Sequence, residues 1–296
     1  MRIGIFGMGA VGCALLNELY GYKDLYILAD ENRIARYKEN GIIINDKRFN
    51  PNYTSSIKPD IIFVCVKNYQ LESSLKDLEI FVSKDTIIIP LLNGIMAHDI
   101  LQDYFKNNNV LYGVINVEAN KKDNVLKTSR IINLQFGEEF NEPIKEYLLQ
   151  IDRLLTQYNV NHMIYPSMKK RVWLKWMLNM GINQISALCN ATYKDMSHPL
   201  LKELMSDIFK EVYIVSQAYN IGLDEDDLKE TNKRCEAFTS DRVTSLTLDF
   251  YNSEYNELES FSPTLIKLAE AKGIDVPVNK VLYKLLKSLN DNLKNK

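Results

Sequence analysis

The hydrophobic rhythm of the chain changes a little beyond its middle. In the first part, unbroken apolar runs alternate with segments of helical spacing. The runs are RIGIF (2–6), LYILAD (25–30), DIIFVCVK (60–67) and TIIIPLLNG (86–94). Continuous β-branched runs of this length are the mark of parallel strands buried on both faces. CALLNELYG (13–21), the segment 31–39 and YQLESSLKDLEIFV (69–82) read as the intervening helices. Alternation of this kind predicts a doubly wound α/β sheet. Three further β-like runs follow at 110–119, 124–130 and 131–137. A helix is expected over 141–158, and a last strand and linker over 158–168. From residue 168 only helical spacing remains. The pattern predicts an α/β, Rossmann-like domain over 1–167 and an all-α domain over 168–296.

The first strand runs straight into Gly7-Met8-Gly9-Ala10-Val11-Gly12, which opens a helix. Each glycine of G-x-G-x-x-G has a task. The first permits a tight turn, the second lets a pyrophosphate approach the backbone, and the third lets helix and strand pack closely. Phosphates are then met by the N–H groups and dipole of the helix start. Asp30 ends the second strand, 18 residues beyond Gly12, near the roughly 20 of an acid that binds a ribose 2′-hydroxyl. Such an acid favours NAD(H). Arg33 and Arg36 follow on the next helical turn and suit a 2′-phosphate, and Asp30 is equally suited to capping the helix that carries them. Lys67 and Asn93-Gly94 sit at the carboxyl ends of their strands, where ligands bind in such sheets.

In the second part, RVWLKWMLNMGINQISAL (171–188) is an apolar helix with an unexpected stripe. Lys175, Asn179 and Asn183 recur every four residues among Trp173, Trp176, Met177, Met180 and Ile182. That spacing keeps them on one face. A lysine and two amides in apolar surroundings cost free energy unless a partner satisfies them. Either the stripe faces solvent, or a small ligand with carbonyl, hydroxyl and carboxylate oxygens binds there.

Composition narrows the classes. A net charge of −2 gives no general attraction to nucleic acid or anionic lipid. Cys13, Cys65, Cys189 and Cys235 show neither CxxC nor Cys/His spacing. They read as free thiols of a reducing, cytoplasmic compartment, with no metal site. No apolar run reaches the roughly 18 residues of a membrane helix. The N-terminus imitates a signal peptide but lacks a small-residue cleavage site. DEDD (224–227) reads as a helix cap rather than a metal cluster. Ser262-Pro263 reads as the N-cap and first turn of the next long helix, which Gly273 ends. His98, His162 and His198 show no partners at catalytic spacing.

Taken in order, these residues resemble the ketopantoate reductase (2-dehydropantoate 2-reductase) family over essentially the whole chain. The matching elements are GMGAVG, Lys67, Asn93-Gly94, Gly113 with Ala119 six residues later, Lys175-x3-Asn179-x3-Asn183, and Ser245 with Glu257 twelve residues later. The resemblance implies a Rossmann-like domain and a helical domain, with the active site where they meet. It implies Lys175 as acid toward a ketone oxygen and Glu257 beside it near the nicotinamide. It also implies substrate contacts from Asn93, Asn179, Asn183 and Ser245. Cofactor contacts are implied for residues 7–12, Lys67, Asn93, Ala119 and Glu257. The implied reaction reduces the small 2-oxo acid ketopantoate to pantoate, a precursor of coenzyme A. A homodimer is left open.

Four positions depart from the family pattern. Gln184 replaces a usual proline, Tyr193 a frequent asparagine, Ser262-Pro263 a usual Asn-Gly, and Asp30 an arginine that often binds the 2′-phosphate of NADP. The resemblance therefore implies NADP(H), while Asp30 keeps NAD(H) open. Two rival readings share the same pattern: a reductase of another 2-oxo acid or imine, and a dinucleotide sensor without turnover.

Overall fold

The computed structural model describes residues 1–117, 119–122, 124–128, 132–252 and 255–294. The chain forms two compact units, Met1–Arg171 and Val172–Lys296. The expected division at 167/168 coincides with the start of a long helix at Met168, and the units part four residues into it.

The first unit contains β1 (Ile3–Phe6), α1 (Ala10–Leu19), β2 (Leu25–Leu28), α2 (Glu31–Asn40), β3 (Ile42–Ile44), β4 (Lys47–Phe49), β5 (Asn52–Thr54), β6 (Ile61–Val64), α3 (Asn68–Glu79), β7 (Ile87–Pro90), α4 (Ala97–Tyr104), β8 (Tyr112–Asn116), β9 (Ala119–Lys122), β10 (Val125–Thr128), β11 (Asn133–Gly137), α5 (Glu146–Gln157) and β12 (His162–Met163). Its main sheet is parallel throughout, in the order β5-β2-β1-β6-β7. β1 and β6 are fully buried, as continuous apolar runs require. The order reverses direction between β1 and β6, so the carboxyl ends of these neighbours flank the switch point where such sheets bind ligands.

Of the three later β-like runs, the first touches this sheet only at its start, through an isolated parallel bridge of Val110 to Ile88, and the other two do not join it. β9 and β10 join β3 and β4 in a small sheet on α1, and β11 pairs with β8 on one side and β12 on the other. Parts of the expected runs, at Glu118, Ser129, Arg130 and Ile131, lie outside the described residues. The short strands β3 to β5 and helix α4 are too brief to carry a period that the sequence alone would reveal. The helix expected from residue 141 begins only at Glu146. Pro143 disfavours helix at the residue before it, and the Asn141 amide is occupied with Glu138 N–H, 2.9 Å, and Tyr165 O, 2.7 Å.

The second unit is helical: α6 (Met168–Cys189), α7 (Pro199–Ala218), α8 (Glu225–Glu236), α9 (Ser245–Asn252), α10 (Ser262–Glu270) and α11 (Pro277–Lys294). Trp176, Met177, Met180 and Ile185 of α6 are completely buried. Asp224 caps α8 by accepting from Asp227 N at 2.9 Å, and the Asp227 side chain accepts from Asp224 N at 2.9 Å, so the DEDD run is a capping box. Ser262 corrects an expectation. It is the first residue of α10, where Phe261 holds the N-cap position, and its hydroxyl bonds Gln184 instead.

Cys13, Cys65 and Cys235 are buried and Cys189 is exposed. Burial pushes the thiols of Cys13 and Cys235 up to about 11 and raises that of Cys65 further. A thiol reagent should therefore titrate one cysteine rapidly in the native protein and all four in denaturant. Rapid reaction of a second thiol in the native protein would contradict this packing.

Candidate active site

The glycine loop takes its shape from close backbone contacts. Gly7 has φ +98°, and a Cβ there would lie 2.8 Å from the Cys65 carbonyl carbon. A Cβ on Gly12 would lie 2.0 Å from the Gly7 carbonyl oxygen, so the first turn of α1 rests on the end of β1. Gly9 differs. A Cβ there meets only Cys65 O, at an ordinary 3.7 Å. Gly9 is the N-cap of α1, and no side chain caps that helix. The first-turn N–H groups and the positive dipole end are thus offered to an anion, with space left above Gly9. These residues fit the diphosphate of a dinucleotide.

Lys67 follows β6 and is the N-cap residue of α3, with its N–H donated to Gln70 Oε1 at 3.3 Å. The next residue, Asn68, donates from Nδ2 to Asn93 O at 2.7 Å. That bond anchors the turn after β7, where Gly94 has φ +90°. Three adjacent strand ends therefore carry the glycine loop, Lys67 and Asn93. Asn68 is a contributor that sequence reasoning missed, although it sits beside Lys67. Gly113 lies in β8, where a Cβ would meet Pro90 O at 2.2 Å. Ala119 begins β9, in the small sheet that packs on α1.

Asp30 caps α2. Its Oδ1 accepts from Arg33 N at 2.8 Å, and its Oδ2 lies 3.5 Å from Arg33 Nε. The carboxylate stays about half exposed and retains lone pairs beyond those used by the cap.

In the helical unit, the stripe on α6 grades inward. Lys175 and Asn179 are half-buried, and Asn183 is only 5% exposed. Over these eight residues the helix rises about 12 Å. Among the described residues, no protein group hydrogen-bonds the Asn179 or Asn183 amide, and no fully enclosed side-chain polar atom lacks a partner. The amide tips therefore open onto accessible space rather than into sealed core.

Two segments are tied to this helix. Ser186 Oγ lies 2.7 Å from Thr247 Oγ1, which is 3.0 Å from Thr244 Oγ1. These bonds fix the first turn of α9, which begins at Ser245; Ser245 itself is exposed. Trp176 Nε1 donates to Ser260 O at 2.8 Å. That bond fixes the 3-10 turn Leu258–Ser260, whose N-cap is Glu257, 6% exposed. Two histidines have partners that sequence spacing did not reveal. His98 stacks on Tyr112 at 3.8 Å beside Asp99, and His162 lies between Val160 O and Asp152.

This arrangement can be set beside known proteins. The ketopantoate reductase PanE/ApbA profile matches residues 3–138, and the profile of its C-terminal domain matches 167–290. The chain belongs to the ketopantoate reductase family. The 2-dehydropantoate 2-reductase of Streptococcus pyogenes is 25% identical over 302 residues, covering 97% of each chain. Among solved structures, a dimeric ketopantoate reductase from Staphylococcus aureus superposes with TM-score 0.84 at 20% identity, covering 99% of this chain and 100% of that one. A D-mandelate dehydrogenase complex with NADH gives TM-score 0.87 at 20% identity, with the same coverage. These likenesses agree with the Rossmann-like sheet and helical C-terminal unit. Family membership makes the chain an oxidoreductase acting on a CH–OH group.

The glycines of this family member yield a paired prediction. Gly12→Ala forces Cβ into a backbone oxygen and should cost about 3 kcal/mol of stability. Gly9→Ala should keep its melting temperature and lose dinucleotide affinity. Thermal unfolding and fluorescence titration with NADPH measure both. Equal destabilisation by the two substitutions would reject the distinction.

Proposed function

We propose that the protein catalyses NAD(P)H-dependent reduction of 2-dehydropantoate to pantoate, in pantothenate and coenzyme A biosynthesis in the cytoplasm. The observation that carries this reading is the inward-graded Lys175, Asn179 and Asn183 stripe on an otherwise apolar helix. When bound, the nicotinamide supplies the hydride, and the residues supply placement and a proton. Lys175 donates the proton to the ketone oxygen as negative charge develops there. Glu257 directs the lysine. Asn93, Asn179, Asn183 and Ser245 hydrogen-bond the substrate oxygens, so an acid lacking a matching oxygen leaves amides unsatisfied and is rejected. Gly7 to Gly12 bind the diphosphate, with Lys67, Asn93, Ala119 and Glu257 along the rest of the dinucleotide. A homodimer is proposed on the precedent of the dimeric S. aureus relative.

Cofactor choice turns on Asp30. Asp30, the cap of α2, would repel a 2′-phosphate, yet it also holds Arg33, which would attract one. Both NADPH and NADH are therefore expected to serve, with weak discrimination. A second reading is reduction of a different 2-oxo acid, and the likeness in fold to a D-mandelate dehydrogenase keeps that reading on the same fold.

A panel of 2-oxo acids assayed with both cofactors tests the reading. Ketopantoate should give the highest kcat/KM, and a clear preference for another acid would favour the second reading. Lys175→Ala should lower turnover by about 10²-fold or more while dinucleotide affinity holds; near-wild-type turnover would remove Lys175 from the mechanism. Alanine at Asn179 or Asn183 should weaken substrate use by about 1–3 kcal/mol. Asp30→Ala should shift the kcat/KM ratio toward NADPH, and an unchanged ratio would make Asp30 a cap alone.

A further inference from the structure

Gln184 and Ser262, far apart in sequence, meet in the structure. Gln184 Oε1 accepts from Ser262 Oγ at 2.7 Å and from Ser262 N at 3.3 Å. Gln184 Nε2 donates to Met180 O at 2.8 Å. Ser262 Oγ also lies 2.8 Å from Asn279 Oδ1, and Asn279 Nδ2 donates to Glu211 Oε2 at 2.7 Å. The Glu211 carboxylate in turn accepts from the backbone N–H groups of Val278 and Asn279, at 2.8 and 3.0 Å. The network joins α6, α7, α10 and α11. Gln184, Ser262 and Asn279 are 0% exposed and Glu211 is 7% exposed.

A buried polar chain of this kind is a poor way to gain stability, because apolar side chains of the same shape do as well or better. Fully satisfied, such a network rigidifies the elements it joins. The segment it fixes carries Glu257. That segment is held to α6 at Ser260 by Trp176, the neighbour of Lys175, and at Ser262 by Gln184, the neighbour of Asn183. Building on the function proposed above, we infer that the Gln184–Ser262 pair is a positioning device that sets the Glu257 segment against the Lys175–Asn183 stripe. Gln184 and Ser262 act only through the residues beside them and touch no reacting atom.

Gln184→Met tests this with little change of volume. The Ser262 hydroxyl keeps Asn279 as an acceptor and only the long 3.3 Å bond from Ser262 N goes unreplaced, so the variant should fold, with a melting temperature within a few degrees of wild type. Turnover of ketopantoate should fall by about tenfold to a hundredfold with NADPH affinity unchanged, the signature of misplacement rather than lost binding. The chain has two tryptophans, so the Trp176 indole N–H signal can be assigned in a ¹H–¹⁵N spectrum with Trp173→Phe. That signal should move in Gln184→Met. Unchanged turnover, or an unmoved indole signal, would overturn the inference. If the wild-type protein reduces no 2-oxo acid, the proposed function fails, and the indole signal by itself still decides whether Gln184 sets the segment.

Discussion

Polar side chains on a core helix must be satisfied, and α6 shows two solutions to that requirement. On one face, Gln184 is sealed and fully bonded to Ser262 and Met180. On the adjoining face, Asn183 is nearly as buried, yet its amide meets no protein partner among the described residues. The first solution organises the helical bundle. The second leaves the hydrogen-bonding capacity of an amide unused by protein groups among the described residues. Apolar packing by Trp176, Met177 and Met180 holds the helix rigid enough for the difference to matter, since a loose helix would turn its amides to water.

The α/β unit solves a different problem with backbone alone. Its parallel sheet brings three carboxyl ends side by side. Steric contact at Gly7 and Gly12 presses the start of α1 onto β1, while Gly9 keeps its surface open. An uncapped helix start next to that opening offers N–H groups and a positive dipole end without any charged side chain. Asn68 adds a side-chain strut, tying the start of α3 to the turn after β7.

Long, strongly patterned elements were legible in the sequence. The buried parallel strands, the glycine loop and α6 announce themselves through unbroken apolar runs, fixed glycine spacing and a four-residue polar repeat. The small sheet of β3, β4, β9 and β10 was not: β10 falls inside an expected β-like run, but its pairing with β3, far away in sequence, has no local signature. Asp30 was legible only as a choice between cap and ribose ligand, and the cap is observed. Ser262 looked like a helix cap because Ser-Pro commonly is one. Its bond to Gln184, 78 residues away in sequence, has no local signature. Asn68 and the Ser186–Thr247 contact escaped for the same reason: long-range polar pairing leaves no periodicity to read.

If the α6 stripe is kept for a ligand, the folded protein carries it at some cost in stability. Thermal unfolding and turnover of Asn183→Leu, measured without ligand and with substrate respectively, test that directly. A leucine of similar volume should hold or raise the melting temperature, by about 2–4 °C for each kcal/mol gained, while turnover falls by about a hundredfold. A lower melting temperature with turnover retained would show that Asn183 serves the fold and not the substrate.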